Sequence, residues 1–527
     1  MKTSNKLSSR ISIKTGNKAV NKINGNINRN INRDIKNINR KTDRRGSGWL
    51  IRGILTVCLL CASVTFSGCA VRQTPEISQE ESAGNSAELV EKPEANTEEK
   101  TEAEQEETQE KAQGEISKSQ IPLPSRYDAR QDNRTSPVKD QGERGTCWAF
   151  AAMQALESSL LPEEPYDFSE ENMVHDPDFI LKPEEGGDYV MAMAYLLSWR
   201  GPVLESEDPY GDGVSPEGLL PSKHVQEIRL LPSGDREAIK RAIYTTGGVQ
   251  SSLYTALQKD GTDTAYYNKD KQAYCYQGEE EPNHDVVIVG WDDDFPAENF
   301  ITEVPGNGAY LCENSWGTQF GEAGYFYVSY YDRNLGKTNL LYSKAENPDN
   351  YSRIYQSDLC GWLGQIGYGE ETVWTANVYQ SGETNESLSA VGFYATDRDT
   401  EYELYVLTSL PQKQDDVIAR LADGSSKKSK SPRRFAGKGN LDDAGYYTIP
   451  LDQPVDIPPE TRFAVIVRLK TPGAVHPAAV EYDTGDGRFR VDLSDGEGYV
   501  SPDGVIWERT ESAQNCNLCL KAYTKKM

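Results

Sequence analysis

Cys147 stands at the head of an apolar run in the stretch Gln141-Gly142-Glu143-Arg144-Gly145-Thr146-Cys147-Trp148-Ala149-Phe150, with Gln141 six residues before it. A thiol attacks a carbonyl only as its thiolate, and a free cysteine holds little of that form at neutral pH. Two aids can raise the thiolate fraction. The run from Cys147 to Leu161 is apolar almost all round and reads as a buried helix, with Thr146 as its N-cap. The sulfur would then sit at a helix N-terminus, which favours an anion. The second aid is a histidine, whose cation pairs with the thiolate and later protonates a leaving amine. The alternative for Cys147 is a small residue filling the end of a buried helix.

The sequence holds four histidines. His175 (VHDPDF) and His224 (SKHVQ) lie in polar connecting segments, and His476 (GAVHPAAV) lies in the C-terminal half. His284 opens directly into Asp285-Val286-Val287-Ile288-Val289-Gly290-Trp291, a buried strand whose mouth holds a side chain rigidly against a cleft. A base needs an orienter. The amide oxygen of Asn314 can accept the other ring N–H of His284 and fix its tautomer, and Trp316 can shield that bond from water. The side-chain NH₂ of Gln141 can join the Cys147 backbone N–H as a pair of donors for a developing oxyanion. Taken singly, each residue has a structural reading: a core cysteine, a satisfied histidine, an Asn-Ser-Trp-Gly turn. Taken together, in the order Cys, His, Asn, they form a nucleophile, a base and an orienter with an oxyanion donor. This chemistry needs no cofactor and no metal. The lone Cys516-Asn517-Leu518-Cys519 pair has no second pair or histidine cluster with which to hold zinc, so packing or an incidental disulfide is expected there.

The elements that must position these residues follow from pattern. Residues 121–345 mix helices with glycine-bounded strands. Helices are expected over Asp188–Trp199, ended by Gly201-Pro202, and over Arg236–Thr246, and strands over 285–291, 308–314 and 324–332. From Tyr351 onward the period is mostly two, with short alternating runs, turn residues between them and no convincing helix, which indicates a β-sandwich. The break is placed at 344–352, where Lys-Ala-Glu-Asn-Pro-Asp-Asn interrupts the pattern.

Ahead of both blocks the charge is lopsided. Residues 1–69 hold 14 Lys and Arg against 2 Asp, although the whole chain carries −26. The acidic remainder repels phosphates and argues against nucleic acid as a partner. The apolar stretch Ile54–Phe66 has the length of a signal-peptide core, not of a membrane span. It ends in Phe66-Ser67-Gly68-Cys69, where small residues before a cysteine resemble a bacterial lipobox with Cys69 as the lipidated residue. Phe66 departs from the usual aliphatic residue, and an uncleaved N-terminal anchor is the alternative. Either reading places the remainder at the extracellular face of a bacterial membrane. Residues 70–120 follow, and 71–120 contain 14 Glu against 5 Lys and Arg with almost no large apolar residues, so this acidic linker is expected to be a disordered, self-repelling tether.

Three motifs carry a family resemblance. QGERGTCWAF, PNHDVVIVGW and ENSWGTQFGEAGYFYV resemble the cysteine, histidine and asparagine motifs of the papain-like C1 cysteine peptidases. Pro124–Arg130 resembles the family's mature N-terminal segment, and Phe168-Ser169-Glu170-Glu171-Asn172 resembles its LSEQ element. Glu185-Gly186-Gly187 stands where the family has the glycine pair lining the substrate cleft. The likeness spans residues 121–335. It implies an α+β, two-lobed papain-like fold, one lobe helical and one β-barrel-like, acting on protein or peptide substrates. It implies Cys147 as nucleophile, His284 as base and acid, Asn314 as orienter and Gln141 as oxyanion donor. Gly186 and Gly187 would bind substrate, with Trp148 and Trp316 in support. Cys147 to Asn314 is 167 residues, longer than the family's usual spacing, and the excess falls in DDDFPAENFITEVPGNG, read as a surface insertion between two strands. Arg144 stands where the family commonly has a bridging cysteine, and His175 lies where its partner often occurs, so that disulfide is absent. The family's inhibitory prodomain is also missing. Asp285 replaces a small residue after the histidine, where its carboxylate either shifts the histidine pKa or points away along the strand.

Residues 351–527 resemble the lectin-like domain that follows C1 peptidases in some bacterial surface proteins, chiefly through TANVYQSGETNESLSAVGFYATDRDTEYELYV. That implies an all-β sandwich with carbohydrate as its expected ligand. Trp362, Trp374 and Trp507 are candidates for stacking on sugars, with core packing as the favoured reading. Asp483-Thr484-Gly485-Asp486-Gly487 reads as a plain turn, not a calcium loop. The chain is thus expected to be an exported, membrane-attached cysteine endopeptidase. The rival is a surface adhesin whose peptidase-like domain has lost activity.

Overall fold

The computed structural model describes residues 121–527 apart from 258, 260–263, 427, 428, 430 and 431, and in addition the backbone of Lys14–Thr15. The expectations for the leader, Cys69 and the acidic linker lie outside the described residues. Among the described residues, no helix is long and apolar enough to cross a membrane.

The N-terminal half begins with a short strand, β1 (Arg126–Asp128), then helices α1 (Cys147–Leu160), α2 (Glu170–Val174) and α3 (Tyr189–Leu197). Strand β2 (His224–Leu230) and helix α4 (Arg236–Thr245) lead into β3 (Val249–Leu253), β4 (His284–Asp292), β5 (Ala309–Glu313), β6 (Tyr325–Ser329) and β7 (Asn339–Glu346). The apolar run after Cys147 forms one helix because every turn of it faces protein. Ala149, Phe150, Ala152, Met153, Ala155 and Leu156 are all buried, and truncating one of the larger of these is worth about 2–5 kcal/mol. Helix α3 is capped by Asp188, which accepts the Val190 N–H at 3.0 Å. Helix α2 is capped by Ser169, which accepts the Asn172 N–H at 3.1 Å.

The buried strand after His284 lies at the centre of a long antiparallel ladder. β4 pairs with β3 on one side and β5 on the other, and β1 joins it with Tyr127 opposite Trp291. Gly290 permits that third partner: a Cβ there would meet the Tyr127 carbonyl at 2.4 Å. The segment between β4 and β5 is a loop, as expected for the insertion, and it brings its own small core of Phe295 and Phe300 against Ala273, Cys275 and Ala309.

The C-terminal half is a β-sandwich. Strands β8 (Thr372–Gln380), β9 (Glu386–Ala395), β10 (Thr400–Leu407), β11 (Ala444–Ile457), β12 (Arg462–Lys470) and β13 (Leu520–Lys526) divide between two sheets. Leu388, Val391 and Phe393 from one sheet meet Leu404, Val406, Val465 and Val467 from the other. Two features differ from the sequence-based expectation. A helix, α5 (Gln414–Gly424), lies in this half, with Val417 and Leu421 buried against Ile466 and Trp507. Its apolar positions fall at helical spacing, yet Asp415, Asp416 and Arg420 mask them in a region otherwise of period two. The second difference concerns the join. β11 pairs with β2, Ala444 opposite Leu230 and Tyr446 opposite Ile228, so one sheet runs as β13-β9-β11-β2-β7-β3-β4-β5-β6 through both halves. Tyr446, Tyr394 and Cys519 share a core with Ala194, Tyr195 and Leu197 of α3.

Candidate active site

Cys147 is the first residue of α1 and remains partly exposed, whereas the other five described cysteines are buried free thiols, Cys516 and Cys519 among them. Thr146 occupies the N-cap position but does not cap through its side chain. Its hydroxyl pairs with the Tyr210 hydroxyl at 2.7 Å, and Tyr210 in turn donates to the Gln141 carbonyl at 2.9 Å. No acidic residue occupies the first turn, so no other anion competes for the positive end of the helix. The Cys147 N–H, at the first helical position, has no intrahelical acceptor.

Gln141 is buried and held at both ends of its amide. Ser315 Oγ donates to its Oε1 at 2.6 Å, and its Nε2 donates to the Arg144 carbonyl at 2.7 Å. One N–H of Nε2 is left for another acceptor, beside the start of α1. A backbone bond from Gln141 N to the Ser315 carbonyl, at 2.9 Å, ties this loop to the segment after β5.

His284 begins β4 and Asn314 follows β5 directly, so adjacent strands bring together residues 30 positions apart. His284 Nε2 lies 2.8 Å from Asn314 Oδ1. The Ser315 N–H also donates to Oδ1, at 2.9 Å, which fixes that end of the amide as oxygen. Nε2 must then carry its hydrogen, and Nδ1 is the nitrogen left with a lone pair. The Trp316 ring lies against the imidazole, centroids 4.9 Å apart, and is itself braced edge-on by Phe320.

Burial dominates the electrostatics. It pushes the Cys147 thiol up to about 12, with the Asp285 charge adding to it, while the backbone N–H groups of Asp285 and Trp148 favour the thiolate. Burial pulls His284 down to about 4, opposed by the bond to Asn314 and reinforced by the Lys259 charge. Moving a proton from sulfur to imidazole creates both charges side by side, and their attraction offsets the burial that penalises either one. The Asp285 charge thus acts on the thiol. Its Oδ2 accepts from Gln250 Nε2 at 2.8 Å, and Tyr342 donates to Gln250 Oε1 at 2.7 Å.

The absent disulfide is replaced by a carboxylate. Glu171, fully buried, accepts from Arg144 Nη1 at 2.8 and 3.1 Å, pairs with His175 Nε2 at 3.0 Å, and accepts the Gly211 and Gly213 N–H groups at 2.9 Å each. Arg144 also lies over the Tyr210 ring. Gly186 and Gly187 run beside the nucleophile loop. Gly145 N donates to the Pro183 carbonyl at 2.9 Å, and a Cβ on Gly187 would meet Trp148 Nε1 at 2.3 Å. Gly187 is exposed, so bare backbone flanks Cys147.

Sequence reasoning missed Ser315, Tyr210, Glu171, Gln250 and Glu313 as participants. Gln250 was detectable as a polar residue inside the apolar strand β3. The others carry no local signal, because their partners lie far along the chain. Glu313, next to Asn314, accepts from Gln154 at 2.9 Å, and burial raises its carboxyl to about 8, aided by the Glu157 charge and opposed by Lys139. The unfolded carboxyl ionises near its ordinary value, so Glu313 contributes stability that is full below that value and is lost as pH rises through about 8. Glu313→Gln is expected to raise the melting temperature at about pH 9 and leave it nearly unchanged at about pH 5. Thermal denaturation at the two pH values checks this, and a lower melting temperature for the variant at the higher pH contradicts it.

In the second half the tryptophans are engaged in packing. Trp507 is buried, Trp362 packs on Tyr394, and Trp374 lies under Arg433 at 4.7 Å. The Asp483–Gly487 stretch is a turn: Asp483 accepts the Gly485 N–H at 2.8 Å and Asp486 accepts the Arg488 N–H at 3.1 Å. Among the described residues, no group of three or more His, Cys, Asp or Glu side chains is placed to hold a metal ion.

Comparison with known proteins agrees with this geometry. Residues 123–343 match the papain family cysteine proteases and residues 354–524 match the lectin-like domain. A viral cathepsin of Heliothis zea nuclear polyhedrosis virus is 31% identical over 230 residues, which cover 42% of this chain and 56% of the cathepsin. The cysteine protease Amb a 11.0101 of Ambrosia artemisiifolia is 30% identical over 213 residues, 39% of this chain and 50% of that protein. The chain thus spans little more than half the length of these relatives. Two solved structures extend over both halves, each with a TM-score of 0.66. One is the clostridial cysteine protease Cwp84 after propeptide cleavage, 27% identical, covering 77% of this chain and 100% of that one. The other is the cysteine protease and lectin-like domains of Cwp84, a surface layer associated protein of Clostridium difficile, 25% identical, covering 81% of this chain and 98% of that one.

Proposed function

We propose that this chain, whose residues 123–343 belong to the papain family of cysteine proteases, hydrolyses peptide bonds as an endopeptidase through a thioester on Cys147. The observation that carries the reading is the His284–Asn314 bond of 2.8 Å, oriented by the Ser315 N–H, on a strand whose next residue, Asp285, turns its backbone N–H toward the sulfur of Cys147 at a helix N-terminus. Nδ1 of His284 takes the thiol proton as sulfur attacks the carbonyl carbon. The tetrahedral oxyanion is held by the Gln141 side-chain N–H and the Cys147 backbone N–H. Collapse expels the amine, which takes its proton from His284, and leaves an acyl group on sulfur. Water then attacks the thioester with His284 as base, releasing the acid and restoring the thiol. Digestion of a peptide library by the protein under reducing conditions tests the reading. Cleavage blocked by a thiol-directed epoxide is the expected result, and an intact library with a titratable Cys147 contradicts it.

Export and attachment through Cys69 form the second part of the proposal. Their support is the apolar stretch Ile54–Phe66, the small residues before Cys69 and the acidic residues 71–120. Cells expressing the chain are expected to incorporate an alkyne-tagged fatty acid into it, and Cys69→Ser to lose that label. Full label in the variant contradicts a lipid at Cys69. Carbohydrate binding by residues 354–524 has the lectin-like match as its support. A glycan array tests it.

A further inference from the structure

The wall beside Cys147 is tied down by residues 300 or more positions further along the chain. Ile180 N donates to the Arg488 carbonyl at 2.9 Å and Arg490 N donates to the Asp178 carbonyl at 2.8 Å, a short antiparallel pairing centred on Phe179 and Phe489. The two phenyl rings meet edge to face at 5.8 Å, and Phe179 meets Trp148 in the same way at 6.0 Å. At the other end of the segment, the Arg488 guanidinium forms an ion pair with Asp188, the cap of α3, while its Nε donates to Asp486 at 2.9 Å. Between these two anchors the chain passes through Gly186 and Gly187 with turns and bends in place of regular structure. The glycines leave no side chain to lock the wall against Trp148, so its position depends on its ends.

We propose that Asp486–Arg490 is a positioning element of the peptidase site, through which the lectin-like half sets the wall that receives the substrate backbone. The inference rests on the cleft reading above. Arg488 touches neither the thiol nor the reacting carbonyl. It holds Asp188, and with Phe489 it holds the segment from Phe179 to Gly187 at both ends. An arginine suits this place because its fork serves two carboxylates at once, Asp188 and Asp486.

The test compares two reagents on the full chain, with modification of Cys147 followed by mass spectrometry. A peptidyl epoxide must use the wall to reach sulfur, whereas iodoacetamide, which has no peptide portion, does not. In Arg488→Ala, labelling by the epoxide is expected to slow roughly tenfold, the scale of a misplaced binding contact, while alkylation by iodoacetamide keeps its rate. Arg488→Lys, which keeps the charge and loses the fork, is expected to fall between and gives the same comparison if the alanine variant does not fold. Equal slowing of both reagents, or no slowing of either, overturns the proposal. Peptide hydrolysis by the unaltered chain tests the peptidase reading separately, so the two can fail independently.

Discussion

Cys147→Ala is expected to abolish peptide hydrolysis and epoxide labelling while leaving the melting temperature unchanged. The loss should be on the order of a million-fold in kcat, because removing the nucleophile of an acyl-transfer site costs as much as removing the whole catalytic group. Cys147 is the first residue of α1, and alanine has the highest intrinsic helix propensity, so the substitution does not oppose the helix. Cys147 is partly exposed as a residue, and shortening it removes a single sulfur atom, so little core packing is lost. Hydrolysis assays paired with thermal denaturation separate this outcome from unfolding. Substantial activity in the variant would show that the reaction does not pass through sulfur.

Glu171→Ala is the second large effect, and it acts on stability first. The carboxylate is fully buried and serves four donors from three separate segments: Arg144 in the nucleophile loop, His175 at the end of α2, and the Gly211 and Gly213 N–H groups. Removing one partner of a buried ion pair leaves the other charge and the amides without compensation, which costs about 3–5 kcal/mol. For a folded region of about 400 residues that corresponds to a fall of roughly 5 °C in melting temperature. Activity below the transition should fall as well, because Arg144 carries the carbonyl that orients Gln141. The brace is ionic and the described cysteines are free thiols, so reductant is expected to leave the stability of the unaltered protein the same. A melting temperature within about 1 °C of the parent, a scale of under 1 kcal/mol, would show that packing alone holds the loop.

The residues of the candidate site were legible in the sequence because each keeps a local signature. Cys147 heads an apolar helix, His284 heads a buried strand, and Asn314 sits in a turn before an aromatic. Helix α1 and strand β4 also followed from their patterns, since burial on all sides produces continuous apolar runs. What stayed hidden was long-range. Glu171 gives no sign of serving Arg144, because charge in sequence looks the same whether solvated or buried. The pairing of β11 with β2 was equally invisible: each strand has a plausible partner within its own half, and only the completed sheet shows that the halves are joined. Helix α5 was lost because its two buried positions are too few to outweigh the alternating strands on either side.

The most direct test is the mass of the enzyme during turnover. With a peptide ester whose acylation outruns hydrolysis, acid-quenched protein should gain the mass of the acyl half, located on the proteolytic fragment containing Cys147. An acyl group on any other side chain, or product release from unmodified enzyme, would contradict the thioester mechanism.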